Sequence, residues 1–200
     1  AFARGGSIVD VNIGPYKVKY AIHKALLTEY SEYFKRALNG QWKEAQEGVV
    51  SLDDVKCRVF QIFVKRLYTA QLPEAEDWVS PTILQVAMVD ACALADRIVS
   101  PAFDRAFRSK IVTCSVNSSK PPAYATIISA FDILPPQDPI LRLLVDSHCH
   151  RYKEADDLED EEELELRDQL PHEFLVRTMI RYSRIGSTLF LRQLKASDYH

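Results

Sequence analysis

The sequence predicts an α+β fold in which a small β-sheet is followed by a long series of helices. Three observations carry this. Apolar and polar residues alternate from Ile8 to Ile22 on either side of Gly14-Pro15, which is the period of strands. From Tyr30 onward the apolar residues recur at helical spacing. A hydrophobic content of 47% in 200 residues is enough to bury a core, in one domain of ordinary size or a small domain with a helical extension. Strands first and helices afterwards is the order of an α+β chain.

The first element is a β-hairpin. Val9, Val11 and Ile13 share one face of its first strand, and Tyr16, Val18, Tyr20 and Ile22 share the inner face of its second, with Lys17 and Lys19 opposite. Tyr30, Tyr33, Phe34, Ala37 and Leu38 then fall at i, i+3, i+4, i+7 and i+8, with Ser31 near the start and Asn39-Gly40 as the stop. This helix buries an aromatic stripe. "GVVSL" at Gly48 to Leu52 is a short strand, and Asp53-Asp54 stands where an N-cap and a dipole-favoured acid belong. The next helix runs to about Tyr68 with Val59, Phe60, Phe63, Val64 and Leu67 inward.

Ser80-Pro81 opens a helix that is apolar nearly all round and therefore central, and Ser100-Pro101 opens another. "NSSKPP" at Asn117 to Pro122 and "ILPPQDP" at Ile133 to Pro139 are loops. "AYATIISAF", "ILRLLVDSHCHRYK", "LPHEFLVRTMIRYS" and "STLFLRQLK" read as helices. The chain divides into a first domain at 1–110 and a helical extension at 111–200, interrupted by an acidic, mobile loop at about 153–168. That loop contains "EADDLEDEEELE" at Glu154 to Glu165, nine acids without a base, which leaves nineteen acids against 25 bases elsewhere. A run of this kind repels itself open and is solvated; docking to a basic partner is the alternative.

No apolar run reaches the roughly 18 residues of a membrane span, and "AFARGGSIVD" has no signal-peptide core, so the expected location is intracellular, cytoplasmic or nuclear. The chain opens on Ala1 without an initiator methionine, as a fragment would. Cys57, Cys92, Cys114 and Cys149 form no CxxC pair and are expected as reduced thiols. His23 lacks the nucleophile, orienting group and cleft that a general base requires. His148-Cys149-His150 resembles a metal cluster, but adjacent helical residues stand about 100° apart, so the two imidazoles diverge. There is no nucleophile elbow, phosphate loop or dinucleotide fingerprint, and the chain has only six glycines. Phe103 to Lys110 and Arg181 to Gly186 are the best basic candidates for nucleic acid, and both read as solvated helix faces. No catalytic residue, cofactor or metal is expected, nor any small-molecule substrate, membrane or direct nucleic-acid contact.

A series of short motifs carries a family resemblance: "DVNI" at Asp10 to Ile13, "HKALL" at His23 to Leu27, Ser31 with Tyr33-Phe34, "VVSLDDV" at Val49 to Val55, "VFQIFVKRLYTAQL" at Val59 to Leu72, and "ALADRI" at Ala93 to Ile98. In this order and spacing they resemble the BTB/POZ domain, and the remainder looks like the helical tail of short fungal BTB proteins. The resemblance implies a non-enzymatic interaction fold that binds other proteins, often itself and often the cullin scaffold of a ubiquitin ligase.

Cullin-binding members carry a hydrophobic-x-Glu motif in the loop before the strand that follows the second helix, and here Trp42-Lys43-Glu44 stands in that place. A part-exposed Trp beside a carboxylate is what an interface hot spot requires physically. The competing reading folds Trp42 back over its own domain and leaves Glu44 solvated. Self-association in many members uses a helix ahead of the first strand, where this chain has only Ala1 to Gly6. The expected function is thus an interaction module, an adaptor that meets cullin through Trp42 and Glu44 and its substrate through Ile111 to His200. The alternatives are a self-associating or transcription-associated scaffold that never meets cullin, and an enzyme using Cys149 with its flanking histidines.

Overall fold

A computed structural model describes residues 6–74, 80–155 and 161–186 of the chain. The contacts divide it into two compact units, Ala1–Cys114 and Ser115–His200. The division lies beyond the expected boundary at residue 110, inside a helix that continues through it.

The first unit is built on a three-stranded sheet of order β2-β1-β3, with β1 at Ile8–Ile13, β2 at Val18–His23 and β3 at Val49–Leu52. β1 pairs antiparallel with β2 and parallel with β3, placing Val11 opposite Tyr20 on one side and Val50 on the other. Val9, Val11, Ile13, Ile22, Val50 and Leu52 are all buried, as strand alternation requires of one packed face. The expected inner face of β2 holds only from Tyr20 onward. Tyr16 and Val18 are exposed, because Gly14 (φ 71°) and Lys17 (φ 51°) turn the chain before β2 begins and β2 lies at the edge of the sheet.

The helices of this unit are α1 at Lys24–Tyr30, α2 at Glu32–Asn39, α3 at Lys43–Glu47, α4 at Cys57–Thr69, α5 at Pro81–Arg97 and α6 at Pro101–Asn117. An aromatic chain joins sheet to helices: Tyr20 meets Phe60 edge-on with centroids 5.1 Å apart, Phe60 meets Phe63 at 5.8 Å, and Phe63 stacks on Phe34 at 6.4 Å and meets Phe103 at 5.1 Å. Such pairs add about 0.5–1.5 kcal/mol each beyond burial. α5 is the central helix expected, capped by Ser80 and buried from Leu84 to Ala95 on most sides. Two local expectations are corrected. Tyr30 is not part of the buried α2 stripe: it ends a separate helix and is exposed, because Ser31 in extended conformation breaks the helical phase. Asp53-Asp54 does not cap α4; the chain first turns to bury Val55, the N-cap is Lys56, and Asp54 instead pairs with Arg97.

The N-terminus of α2 is fastened to the C-terminus of α5. Ser31 Oγ accepts from the Phe34 N–H at 3.1 Å and donates to the Ile98 carbonyl at 2.6 Å. The N–H groups of Glu32 and Tyr33 donate to the carbonyls of Val99 and Ile98 at 3.1 and 3.3 Å, and Ser100 Oγ donates to the Tyr30 carbonyl. Groups that a helix leaves unsatisfied at its ends are here each other's partners.

The second unit contains α7 at Tyr124–Ile133, α8 at Pro139–Arg151, α9 at Glu161–Arg167 and α10 at His172–Gly186. Its core gathers Tyr124, Ile127, Val145 and Phe174, with Leu166 and Leu170 packed against it. The expected loop at 153–168 is corrected over Glu161–Arg167, which is helical. Glutamate is a good helix former, Leu166 anchors the segment to the core, and Glu163 accepts from the Tyr124 N–H at 2.6 Å at the positive end of α7. The rest of the acidic run at 156–160, and the helix expected at "STLFLRQLK", lie outside the described residues.

Ser31→Ala removes a buried cap together with the shorter of the two hydrogen bonds that the Ile98 carbonyl accepts. Chemical denaturation should show a loss of about 1–3 kcal/mol, against at most about 0.5 kcal/mol for Lys35→Ala, whose ion pair with Glu32 is exposed.

Candidate functional site

α2 ends at Asn39, and the chain must reverse within a few residues to start β3 at Val49. α3 fills that turn, with Trp42 as its N-cap residue in extended conformation: the Trp42 carbonyl accepts from the Ala45 N–H at 3.1 Å. Gly48 closes α3 in the left-handed region at φ 67°, which glycine reaches without strain.

The indole of Trp42 sits on Gly40. Gly40 has an ordinary extended φ, so space rather than conformation demands glycine: a Cβ there would lie 2.6 Å from Trp42 Cδ1 and 3.0 Å from both Nε1 and the Arg36 carbonyl oxygen. The pyrrole edge therefore packs on backbone, yet 66% of the residue stays exposed. Lys43 points to solvent and pairs with Glu47 at 3.6 Å, so it stands apart from the other two. Trp42 and Glu44 line a groove of about 300 Å³ with Glu32, Tyr33, Arg36, Ala37 and Val99. Burial pushes the Tyr33 phenol up, the Arg97 guanidinium opposes, and the carboxylates of Glu44 and Asp54 add to the rise; the group is a neutral hydroxyl in this wall. Among the described residues no ion pair engages Glu44, whereas Glu32 is held by Lys35.

The groove thus adds residues that the motif alone does not indicate. Tyr33 reads from spacing as core, and it is half-buried. Val99 gives no signal in the sequence beyond standing before Ser100-Pro101, and it reaches the groove only because α5 ends against α2.

The other sequence candidates are accounted for by structure. The His23 N–H donates to the Tyr68 hydroxyl at 3.2 Å and its Nδ1 lies 2.8 Å from the same oxygen, a tie between β2 and α4. His148 is buried and stacks on Tyr152 at 4.7 Å, while His150 on the outer side of α8 faces the Asp146 carbonyl at 2.7 Å, so the two imidazoles diverge. Burial pushes the Cys149 thiol up, with Arg181 opposing and Asp146 adding, and its S–H faces the Thr178 carbonyl at 3.9 Å. An activated thiol needs the opposite shift. No group of three or more His, Cys, Asp or Glu among the described residues is placed to hold a metal ion. In the basic stretches, Phe103 and Phe107 are buried, Arg108 pairs with Asp104, Lys110 with Glu74 and Arg181 with Asp146. No helix among the described residues is long and apolar enough to cross a membrane.

Gly40→Ala forces the exposed indole off its seat and crowds the Arg36 carbonyl oxygen, so it moves the indole at a modest cost in stability. In a Trp78→Phe background the Trp42 fluorescence maximum should move and its acrylamide quenching rise, while the unfolding free energy falls by about 1 kcal/mol.

No curated protein matches the chain. Residues 1–93 match the family model of the BTB/POZ domain, a protein-interaction domain, and the sheet under its cluster of helices is that fold, followed by a helical C-terminal part.

Proposed function

We propose that the chain is a non-enzymatic adaptor whose BTB/POZ domain engages the N-terminal domain of a cullin through Trp42 and Glu44, within the cytoplasm or nucleus, and whose helical part meets a second protein. The observation that carries the reading is the exposed Trp42 indole, seated on Gly40 and flanked across a shallow groove by a carboxylate without an ion pair. A large aromatic held in one place loses little freedom on binding, and its contact area is where interface energy concentrates. The ring of half-buried Tyr33, whose hydroxyl is neutral, and Ala37 complete the floor of the groove.

Self-association without cullin is the second reading, supported by a different surface: Ile8, Tyr16 and Val18 leave apolar area exposed along the hairpin that forms one edge of the sheet. A sheet edge of this kind pairs readily with a second copy.

Light scattering of the full chain alone and mixed with a cullin N-terminal domain separates the two. The adaptor reading expects a mixed complex that Trp42→Ala with Glu44→Ala weakens at least about tenfold, the loss of a hot-spot side chain and its polar partner. A mixed complex indifferent to the double substitution sinks the site, and a stable homodimer that ignores the cullin domain favours the scaffold.

A further inference from the structure

Val99 is the C′ residue of α5. Its N–H donates to the Asp96 carbonyl at 3.0 Å and the Ser100 N–H donates to the Ala95 carbonyl at 2.8 Å, the paired bonds of a Schellman ending. That ending requires the left-handed region, and Val99 lies there at φ 50°. Glycine is the default at such a position because a Cβ meets the neighbouring carbonyl, and branching at Cβ worsens the conflict. The other non-glycine residues of positive φ, Lys17 and Ala70, are unbranched. Valine is thus the least suited of the three to its backbone.

The conformation is enforced from both sides, since the Val99 carbonyl also accepts from the Glu32 N–H at the start of α2. The strained residue secures no burial in return: 49% of it is exposed, and its place is the wall of the groove that holds Trp42 and Glu44. It also stands beyond the residues that match the family model.

We infer that Val99 is a contact residue of the docking groove, a strained apolar wall facing Trp42 that grips the partner's side chain at the expense of stability; the inference rests on the docking reading above. The occupant is an apolar side chain with a basic residue beside it. Tyr33, Ala37, Trp42 and Val99 form the apolar lining of the groove; of its two carboxylates Glu32 is held by Lys35, and Glu44, outside any ion pair among the described residues, is the one left to meet a basic residue.

The test uses the full chain with Val99→Gly and Val99→Ala, titrated with a purified cullin N-terminal domain and melted alone. Glycine relieves the strain and removes the isopropyl group; alanine keeps a Cβ in the left-handed region and removes only the rest. The expected result is a Tm raised by about 2–4 °C for Val99→Gly and not for Val99→Ala, with binding weakened about tenfold in both. Unchanged binding in both variants, beside a Trp42→Ala variant that loses it, overturns the role of Val99 and leaves the docking reading standing. Loss of binding in Val99→Gly alone makes the residue a backbone stiffener and overturns the contact. A Tm that does not rise in Val99→Gly overturns the strain. A wild-type chain that fails to bind the cullin domain removes the docking reading and this inference together.

Discussion

The junction between the start of α2 and the end of α5 is the constraint on which the first unit depends. A helix exposes N–H groups at one end and carbonyls at the other, and each must find a partner or water. Here Ser31, Glu32 and Tyr33 supply donors and Ile98 and Val99 supply acceptors, so two termini about 67 residues apart in sequence are satisfied by one arrangement. The partial positive end of α2 also meets the partial negative end of α5, a favourable electrostatic contact in a place where Ser31 and Ser100 are both withdrawn from water. Once α2 is held there, Phe34 is presented to Phe63, and Tyr33, edge-on to Phe34 with centroids 5.3 Å apart, lines the groove.

The sheet and α3 supply what the junction lacks. β1 is central, so its parallel pairing with β3 fixes where the chain must arrive after α2, and the intervening turn is only long enough for α3. Trp42 begins that turn with its indole seated on Gly40, where the missing Cβ leaves it room. The exposure of the indole therefore follows from how α2 ends and where β3 must begin.

Local patterns made the architecture legible. Alternation gave β1, and 3.6-residue spacing gave α4, α5 and the Phe34 and Leu38 face of α2, since each depends on neighbours within a few residues. The failures have a common cause in contacts that skip along the chain. Ser31 reads as a cap, but its second bond to Ile98 cannot be read; Asp54 reads as a cap and is drawn to Arg97; the acidic run reads as solvated, whereas Glu163 accepts from the N–H of Tyr124 at the start of α7. The same limit applies to the site: Trp42 and Glu44 are neighbours and were visible as a motif, whereas Val99 joins them only through tertiary structure.

What the groove holds also argues for recognition over chemistry at this place. A reacting site needs a nucleophile or base oriented by a second polar group. Among the described residues the lining of the groove is a neutral phenol, a methyl-sized floor at Ala37, two apolar walls, the Arg36 guanidinium and the carboxylates of Glu32 and Glu44, with no His, Cys, Ser or Thr. In the docking reading proposed above, the Glu44 carboxylate, outside any ion pair among the described residues, would select a basic neighbour on the side chain that fills the groove. The histidine nearest in sequence, His23, is tied to Tyr68, and its position at the head of α1 serves the joint between sheet and helices. In the same docking reading, the apolar walls and the Glu44 carboxylate would fix which side chain enters and in what register.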